Sequence, residues 1–364
     1  MDDKGSPLGD LGVRQSAFGT TPDGQQVTKF TLTNSHGLEM SVINYGCTIT
    51  SLKVPDRNGV MDNIVLGFDH LDGYLLTNQH IGCIAGRYAN RIAFGIFSLE
   101  GNEYSLATNN PPNHLHGGNI GFARIVFDAE EIISENGVGI KFTCLSPDGD
   151  EGYPGNLHVE VKYFLGNDNS LSFEYNATTD RATIINLTQH SYFNLNGGKQ
   201  DILDHQLKIH ADHFLVVDDL MIPTGEIRNV VNTPFDFRQT KKVGKEIAQD
   251  DPQLVIGHGY DHTWVIKSEG KELNHAATLY DEASGRVMDV FTTEPGMQVY
   301  TANFLEGSPL LKNDVALKPR LGICLETQHY PDTPNHTEFP SVRLNPDEKY
   351  YSKTVLRFSI ATQS

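Results

Sequence analysis

Apolar and polar residues alternate along much of the chain. The runs VTKFTLT from Val27, LEMSVINY from Leu38, CTITSLKV from Cys47, LHVEVKYFL from Leu157, LSFEYNATT from Leu171 and TVLRFSI from Thr354 place every second side chain on one face. That period of two belongs to half-buried β-strands. Turn formers separate the runs, among them Pro55-Asp56-Arg57-Asn58-Gly59, Ser134-Glu135-Asn136-Gly137 and Leu165-Gly166-Asn167-Asp168-Asn169. Such residues accept tight or left-handed backbone, so neighbouring runs are expected to fold back as antiparallel hairpins. Helical periodicity is scarce. It predicts one short helix over 68–77 and a second over 236–250, where Lys and Gly weaken the pattern.

A parallel βαβ architecture needs many more helices than these. The length of 364 residues suggests about two domains, but no composition break, linker or fixed-period repeat divides the chain. The expectation is therefore a flexible polar segment over 1–12, followed by a single all-β domain over 13–361. Strands this numerous stack as a β-sandwich rather than spreading into one flat sheet.

Charge and cysteine usage narrow the partners. Acidic residues outnumber basic ones 46 to 28, a formal net charge of -18, so the phosphate backbone of a nucleic acid is an unsuitable partner. No run of apolar residues is long enough for a membrane-spanning helix. Cys47, Cys83, Cys144 and Cys324 stand apart inside apolar runs and form no CxxC pair, which reads as buried, reduced thiols. The first residues lack a signal-peptide pattern, so a cytoplasmic location is the default. Sequons at Asn176, Asn186 and Asn335 are short enough to arise by chance.

Histidine, at 15 copies, is the most suggestive residue type. His114 and His116 would share a face in an extended segment, as in a metal site. Gly117 and Gly118 follow them and the next carboxylate is Asp128, so polar loop histidines are the plainer explanation and no metal is assigned. His190, in NLTQHSYFNLNG, can exchange a proton near neutral pH, although an isolated histidine in a strand-like run more often bonds backbone. Glu326, in RLGICLETQHY, follows an apolar stretch whose burial would strengthen it as a base; taken alone it also fits an outward strand residue paired with Arg320 or Arg343. GRYANRI over 86–92 offers two arginines and Asn90, fixed donors and acceptors suited to vicinal hydroxyls. GYDHTWVI sets Asp261 near Trp264, the only tryptophan, where a carboxylate beside an aromatic ring would suit a sugar.

Set in order, GRYANRI, LHGG, TQHSYFNL, GYDH, EPGMQVYTANF and LETQHYPDTPNH resemble the aldose 1-epimerase (galactose mutarotase) family, from about residue 13 to 361. The resemblance implies a galactose mutarotase-type β-sandwich (supersandwich) with few short helices and an open cleft for a free aldohexose. It implies an isomerase that needs no cofactor. By the family pattern His190 is the general acid and Glu326 the general base, while Asn90, Arg91, His116, Tyr192, Asp261 and Gln298 orient the sugar. Glu326 would take the C1 hydroxyl proton as His190 protonates the departing ring oxygen. The open chain would then turn about C1–C2 and close with the roles reversed. Phe304 is a candidate apolar wall. The stretches 194–201 and 305–319 match no motif and are expected to be rim loops. The absence of an extra basic cluster favours neutral hexoses over sugar phosphates. The rival expectations are a non-catalytic sugar-binding protein on the same scaffold and, less favoured, a glycoside hydrolase using Glu326 and Asp261. A monomer or weak homodimer, with neither nucleic acid nor membrane as partner, completes the expectation.

Overall fold

Each alternating run becomes a strand paired with its sequence neighbour. In the computed structural model, which describes residues 12–267, 272–307 and 309–361, the strand Leu157–Gly166 turns at Asn167-Asp168-Asn169 and pairs antiparallel with Ser170–Thr179. The strand Asp128–Ser134 likewise returns as Gly137–Ser146 across the turn at Glu135-Asn136.

Three antiparallel sheets carry the architecture. The amino-terminal five strands pair in chain order: Gly12–Thr20, Gln26–Thr33, Glu39–Ile43, Thr48–Pro55 and Met61–Asn63. A nine-stranded sheet begins Asp128–Ser134, Gly137–Ser146, Leu157–Gly166, Ser170–Thr179. It continues through Tyr350–Ile360 to Arg286–Thr292, Asn274–Tyr280, Gln206–Ile209 and Lys241–Lys242. The strand Tyr350–Ile360 thus stitches early and late hairpins together. The third sheet orders Pro223–Asn229, His213–Val217, Asp261–Val265, Gly296–Tyr300 and Cys324–Gln328.

All three sheets feed one apolar core. Leu32 and Ile49 of the first, Phe142, Val161 and Leu356 of the second, and Phe214, Trp264, Val299 and Leu325 of the third are buried in the same cluster. Each such side chain stabilises the fold by ~1.5–3 kcal/mol relative to exposure. The indole of Trp264 also donates to the Phe235 carbonyl at 3.1 Å, so its one polar atom is satisfied.

The structure departs from the sequence reading in its helices. Leu71–Leu76 is helical, inside the predicted 68–77. No α-helix occupies 236–250: Lys241–Lys242 joins the nine-stranded sheet and Val243–Lys245 makes one 3-10 turn. There Lys241 is tied to Glu246, and Gly244 lies so close to Leu203 that a Cβ would come within 2.9 Å of it, so pairing and packing override a weak helical pattern. The second helix is instead Pro252–Gly257, capped by Asp251, whose side chain accepts the Gln253 N–H at 2.9 Å. Of the segment expected to be flexible, residues 1–11 lie outside the described residues, and Gly12 already opens the first strand. The cysteines are free, with Cys47, Cys83 and Cys324 buried and Cys144 half-buried. Asn186 is fully buried and donates to two backbone carbonyls, so this sequon cannot receive a glycan in the folded chain.

Candidate active site

The alternation that builds the third sheet also sorts its chemistry. Trp264, Met297, Val299 and Leu325 point into the core. The intervening residues Asp261, Thr263, Gln298, Tyr300, Cys324 and Glu326 share the opposite face. Register aligns them in two rows across three strands, Asp261–Tyr300–Cys324 and Thr263–Gln298–Glu326. Within this face Thr263 donates to Gln298 Oε1 at 2.5 Å, and Gln298 Nε2 donates to Asp261 Oδ1 at 2.6 Å. The amide is thereby locked, and one Asp261 oxygen is committed to it. The other lies 4.0 Å from Arg91 Nη1.

Arg91 comes from a short strand, Arg91–Ile92, paired with His114–Leu115. At the end of this ribbon His116 N–H donates to the Asn90 carbonyl and Asn90 N–H donates to His116 Nδ1, both at 3.1 Å. The two residues have left-handed backbone, φ 64° and 50°, uncommon outside glycine though asparagine and histidine adopt it more readily than most, and held here by the reciprocal bonds. The glycines of the LHGG motif follow from close approach: a Cβ on Gly117 would stand 1.8 Å from the Gly86 carbonyl oxygen.

The third wall is the segment 188–192. Thr188–Gln189 pairs with Ile84–Ala85; His190 N–H donates to the Cys83 carbonyl at 2.8 Å, and its own carbonyl accepts from Gly82 at 3.0 Å. Backbone bonds on both sides thus fix where the imidazole starts. Its Nε2 faces Glu326 Oε2 at 3.6 Å, beyond a hydrogen bond, and this carboxylate oxygen has no partner among the described residues. Tyr192 packs its ring 5.2 Å from that of His190 and donates its hydroxyl to the Gln79 carbonyl.

Burial governs the electrostatics. It pushes the His190 imidazolium down to about 3, with help from repulsion by His80. It pushes the Glu326 carboxyl well above the usual carboxylate range; Asp261 adds to this and Arg91 opposes it. Asp261 is raised by burial as well, against the pull of Arg91 and the Gln298 bond. An imidazole and a carboxyl side by side, the one reluctant to hold a proton as a cation and the other reluctant to lose one as an anion, can pass one proton back and forth through a third molecule.

His116, His190 and Glu326 bring one ligand-type atom each within 4.8 Å of one another, a spacing that invites a metal. The tautomer argues against it. Because His116 Nδ1 accepts from Asn90, its proton resides on Nε2, which makes that nitrogen a donor rather than a ligand. A donor at this position suits a sugar oxygen.

All eight candidate residues fall in this one connected cluster. His114 does not join His116: it is buried between the Ala107 carbonyl and the Tyr153 hydroxyl, each at 2.6 Å. Phe304 is half exposed, its ring 5.0 Å from that of His258, rather than packed as a wall. Of the two unmatched stretches, 305–319 sends Leu305, Leu311 and Leu317 into a cluster with Tyr192, and 194–201 is tied to the amino-terminal sheet by Lys199–Asp62. The sequence reading missed Thr263, Tyr300 and Cys324, which the two-residue period would have placed beside Asp261, Gln298 and Glu326. It also missed His80, whose ring lies 4.7 Å from that of His116 and 6.0 Å from that of His190, and which no motif marks.

Comparison with known proteins gives the family of the chain. The aldose 1-epimerase family matches residues 28–357. A galactose mutarotase of Bos taurus is 44% identical over 353 residues, covering 96% of this chain and 100% of the relative. An aldose 1-epimerase of Escherichia coli K12 is 36% identical over 339 residues, covering 93% and 96%. Among solved structures, galactose 1-epimerase from Lactobacillus acidophilus superposes with a TM-score of 0.86 at 28% identity, over 97% of this chain and 100% of the other.

Proposed function

The chain belongs to the aldose 1-epimerase family and interconverts the α and β anomers of free hexoses, and we propose that His190 and Glu326 are the acid and base that do so. The observation behind this reading is the 3.6 Å gap between His190 Nε2 and Glu326 Oε2, two buried groups that face each other without bonding.

Anomer exchange breaks the bond between C1 and the ring oxygen, turns the aldehyde and remakes the bond on its other face. One proton must leave the C1 hydroxyl while another reaches the ring oxygen. With Glu326 ionised and His190 protonated, the carboxylate takes the first and Nε2 supplies the second. The products on the protein are a carboxylic acid and a neutral imidazole, the form that burial favours for both groups. After rotation about C1–C2 the same two groups run the step in reverse, so each turnover restores the starting protonation.

The remaining cluster positions the sugar. Asp261, held by Gln298 and faced by Arg91, is an acceptor for a hydroxyl pair, and His116 Nε2–H is a donor aimed from the opposite wall. Fixing the hydroxyls sets the reacting atoms against acid and base, the entropic share of catalysis. Tyr192, its hydroxyl committed to backbone, shapes the floor beside His190. A protein that only bound sugar would gain nothing from an unpartnered carboxylate oxygen facing an imidazole.

Polarimetry of freshly dissolved α-D-galactose and α-D-glucose tests the reading. The native protein is expected to speed the decay of rotation, and His190→Ala to return it close to the buffer rate. A native protein that binds either sugar yet leaves the decay at the buffer rate overturns the acid–base assignment and installs a binding protein in its place.

A further inference from the structure

The strand that supplies the base also touches the acid from behind. Cys324 and Glu326 are two residues apart on Cys324–Gln328 and therefore share a face. Glu326 Oε2 stands 3.6 Å from His190 Nε2, and Cys324 Sγ stands 3.6 Å from His190 Nδ1. The imidazole is held between two side chains of one strand, one at each nitrogen. Among the described residues Cys324 is the hydrogen-bonding partner of the His190 side chain.

We propose that Cys324 is a positioning residue: its sulfur accepts from His190 Nδ1–H and so reserves Nε2 for the proton exchanged with the sugar. The inference rests on the reading of His190 as the acid. Since that proton is lost and regained at Nε2, the proton on Nδ1 stays in place through the cycle and needs an acceptor in both states. A thiol sulfur is a weak acceptor. It orients the ring without stabilising the imidazolium as a carboxylate would. The same chain contains the contrasting case, His329, whose Nδ1 contacts the Glu294 carboxylate at 2.6 Å. Cys324 is itself fully buried beside Tyr192 and Leu321, and burial together with Glu326 and Asp261 keeps it a thiol rather than a thiolate. The other groups around the His190 ring are His80 from the loop after the first helix, His116 from the loop after His114–Leu115, and Tyr192 from its own segment, so Glu326 is the nearest carboxylate.

The test compares full-length native protein with Cys324→Ala and Cys324→Ser. Rates on α-D-galactose are followed across pH, and the tautomer of His190 is read by nitrogen-15 NMR of the native ring. The native neutral ring is expected to carry its proton on Nδ1. Cys324→Ala is expected to lower kcat about fivefold, the value of one ordinary hydrogen bond, with KM unchanged and the pH profile displaced. Cys324→Ser, which restores an acceptor, is expected to recover most of the rate. A native ring protonated on Nε2 overturns the inference. So does a Cys324→Ala variant with native kcat and pH profile, or one whose loss of rate merely follows a loss of thermal stability shared by Cys324→Ser. If His190→Ala keeps the native rate, the underlying acid assignment fails instead; if His190→Ala is inactive while Cys324→Ala matches native, only the role of Cys324 falls.

Discussion

Two histidine–glutamate pairs meet at one short motif, LETQHY, one wholly buried and one with its histidine half-buried, and they behave in opposite ways. Glu326 of the motif faces His190 across 3.6 Å, while His329 of the same motif binds Glu294 through Nδ1 at 2.6 Å. In the second pair both carboxylate oxygens are engaged, one by His329 and one by the Tyr350 hydroxyl at 3.5 Å. Burial works against charge on His329, but the charge of Glu294 and its hydrogen bond outweigh burial and hold the imidazolium above its ordinary value. In the first pair no hydrogen bond joins the two groups among the described residues, burial dominates, and His190 falls to about 3 while Glu326 rises. About an ångström of separation divides a brace that pins its proton from a pair that can lend it.

The difference is most simply broken by removing the acid. His190→Ala is expected to lower kcat by roughly 10²–10⁴-fold, measured by polarimetry. Loss of His329 is expected to leave kcat close to native. Equal losses from the two would erase the distinction.

The pH dependence sharpens it next. The catalytic pair is competent while it holds one proton in total, so the acid limb belongs to entry of a second proton and the alkaline limb to departure of the last. With His190 pushed down to about 3 and Glu326 pushed well above the usual carboxylate range, kcat/KM is expected to rise as pH climbs through the lower value, to hold level above it, and to fall only where the last proton leaves the pair. A step near the free imidazole value of ~6.5 would mean that His190 titrates as an isolated group.

Stability separates the pairs in the other direction. Glu294→Gln is expected to lower the unfolding free energy by about 2 kcal/mol, the range for a hydrogen bond to a charged group, with kcat/KM unchanged. Urea denaturation reads this directly. The smallest expected effect is its pH signature. A histidine raised in the folded state contributes stability that is complete below the unfolded value of ~6.5 and is lost as pH rises through the folded value. The native urea midpoint is therefore expected to drift downward from about pH 6.5 up through the folded value, and Glu294→Gln should lack that drift.

Much of this arrangement could be read before any coordinates, because most of it obeys local rules. Strands such as Leu157–Gly166 declare themselves by alternation, and Glu326 and His190 by the motifs around them. What escaped depends on contacts between distant segments. The two-residue period puts Thr263, Tyr300 and Cys324 on the faces of Asp261, Gln298 and Glu326, but that these faces meet, with Thr263 opposite Gln298 and Tyr300 opposite Cys324, is set by register between strands and is not written in any one of them. His80 enters the site because Gly82 and Cys83 pair with the distant His190, and its ring meets His116 from yet another segment. The helix expected over 236–250 failed for the same reason: Lys241–Lys242 finds a sheet partner at Gln206–Leu207 that the window itself does not reveal.

The central claim is that the Glu326 carboxylate exists to move a proton and not to hold the fold together. Its raised pKa implies that burying it costs stability at neutral pH. The decisive measurement is the polarimetric rate of Glu326→Gln on fresh α-D-galactose, taken with its urea midpoint. The account requires a rate at least about 10²-fold below native with a midpoint no lower than native. A Glu326→Gln protein that turns over at the native rate, or that loses activity only because it unfolds more readily, would contradict it.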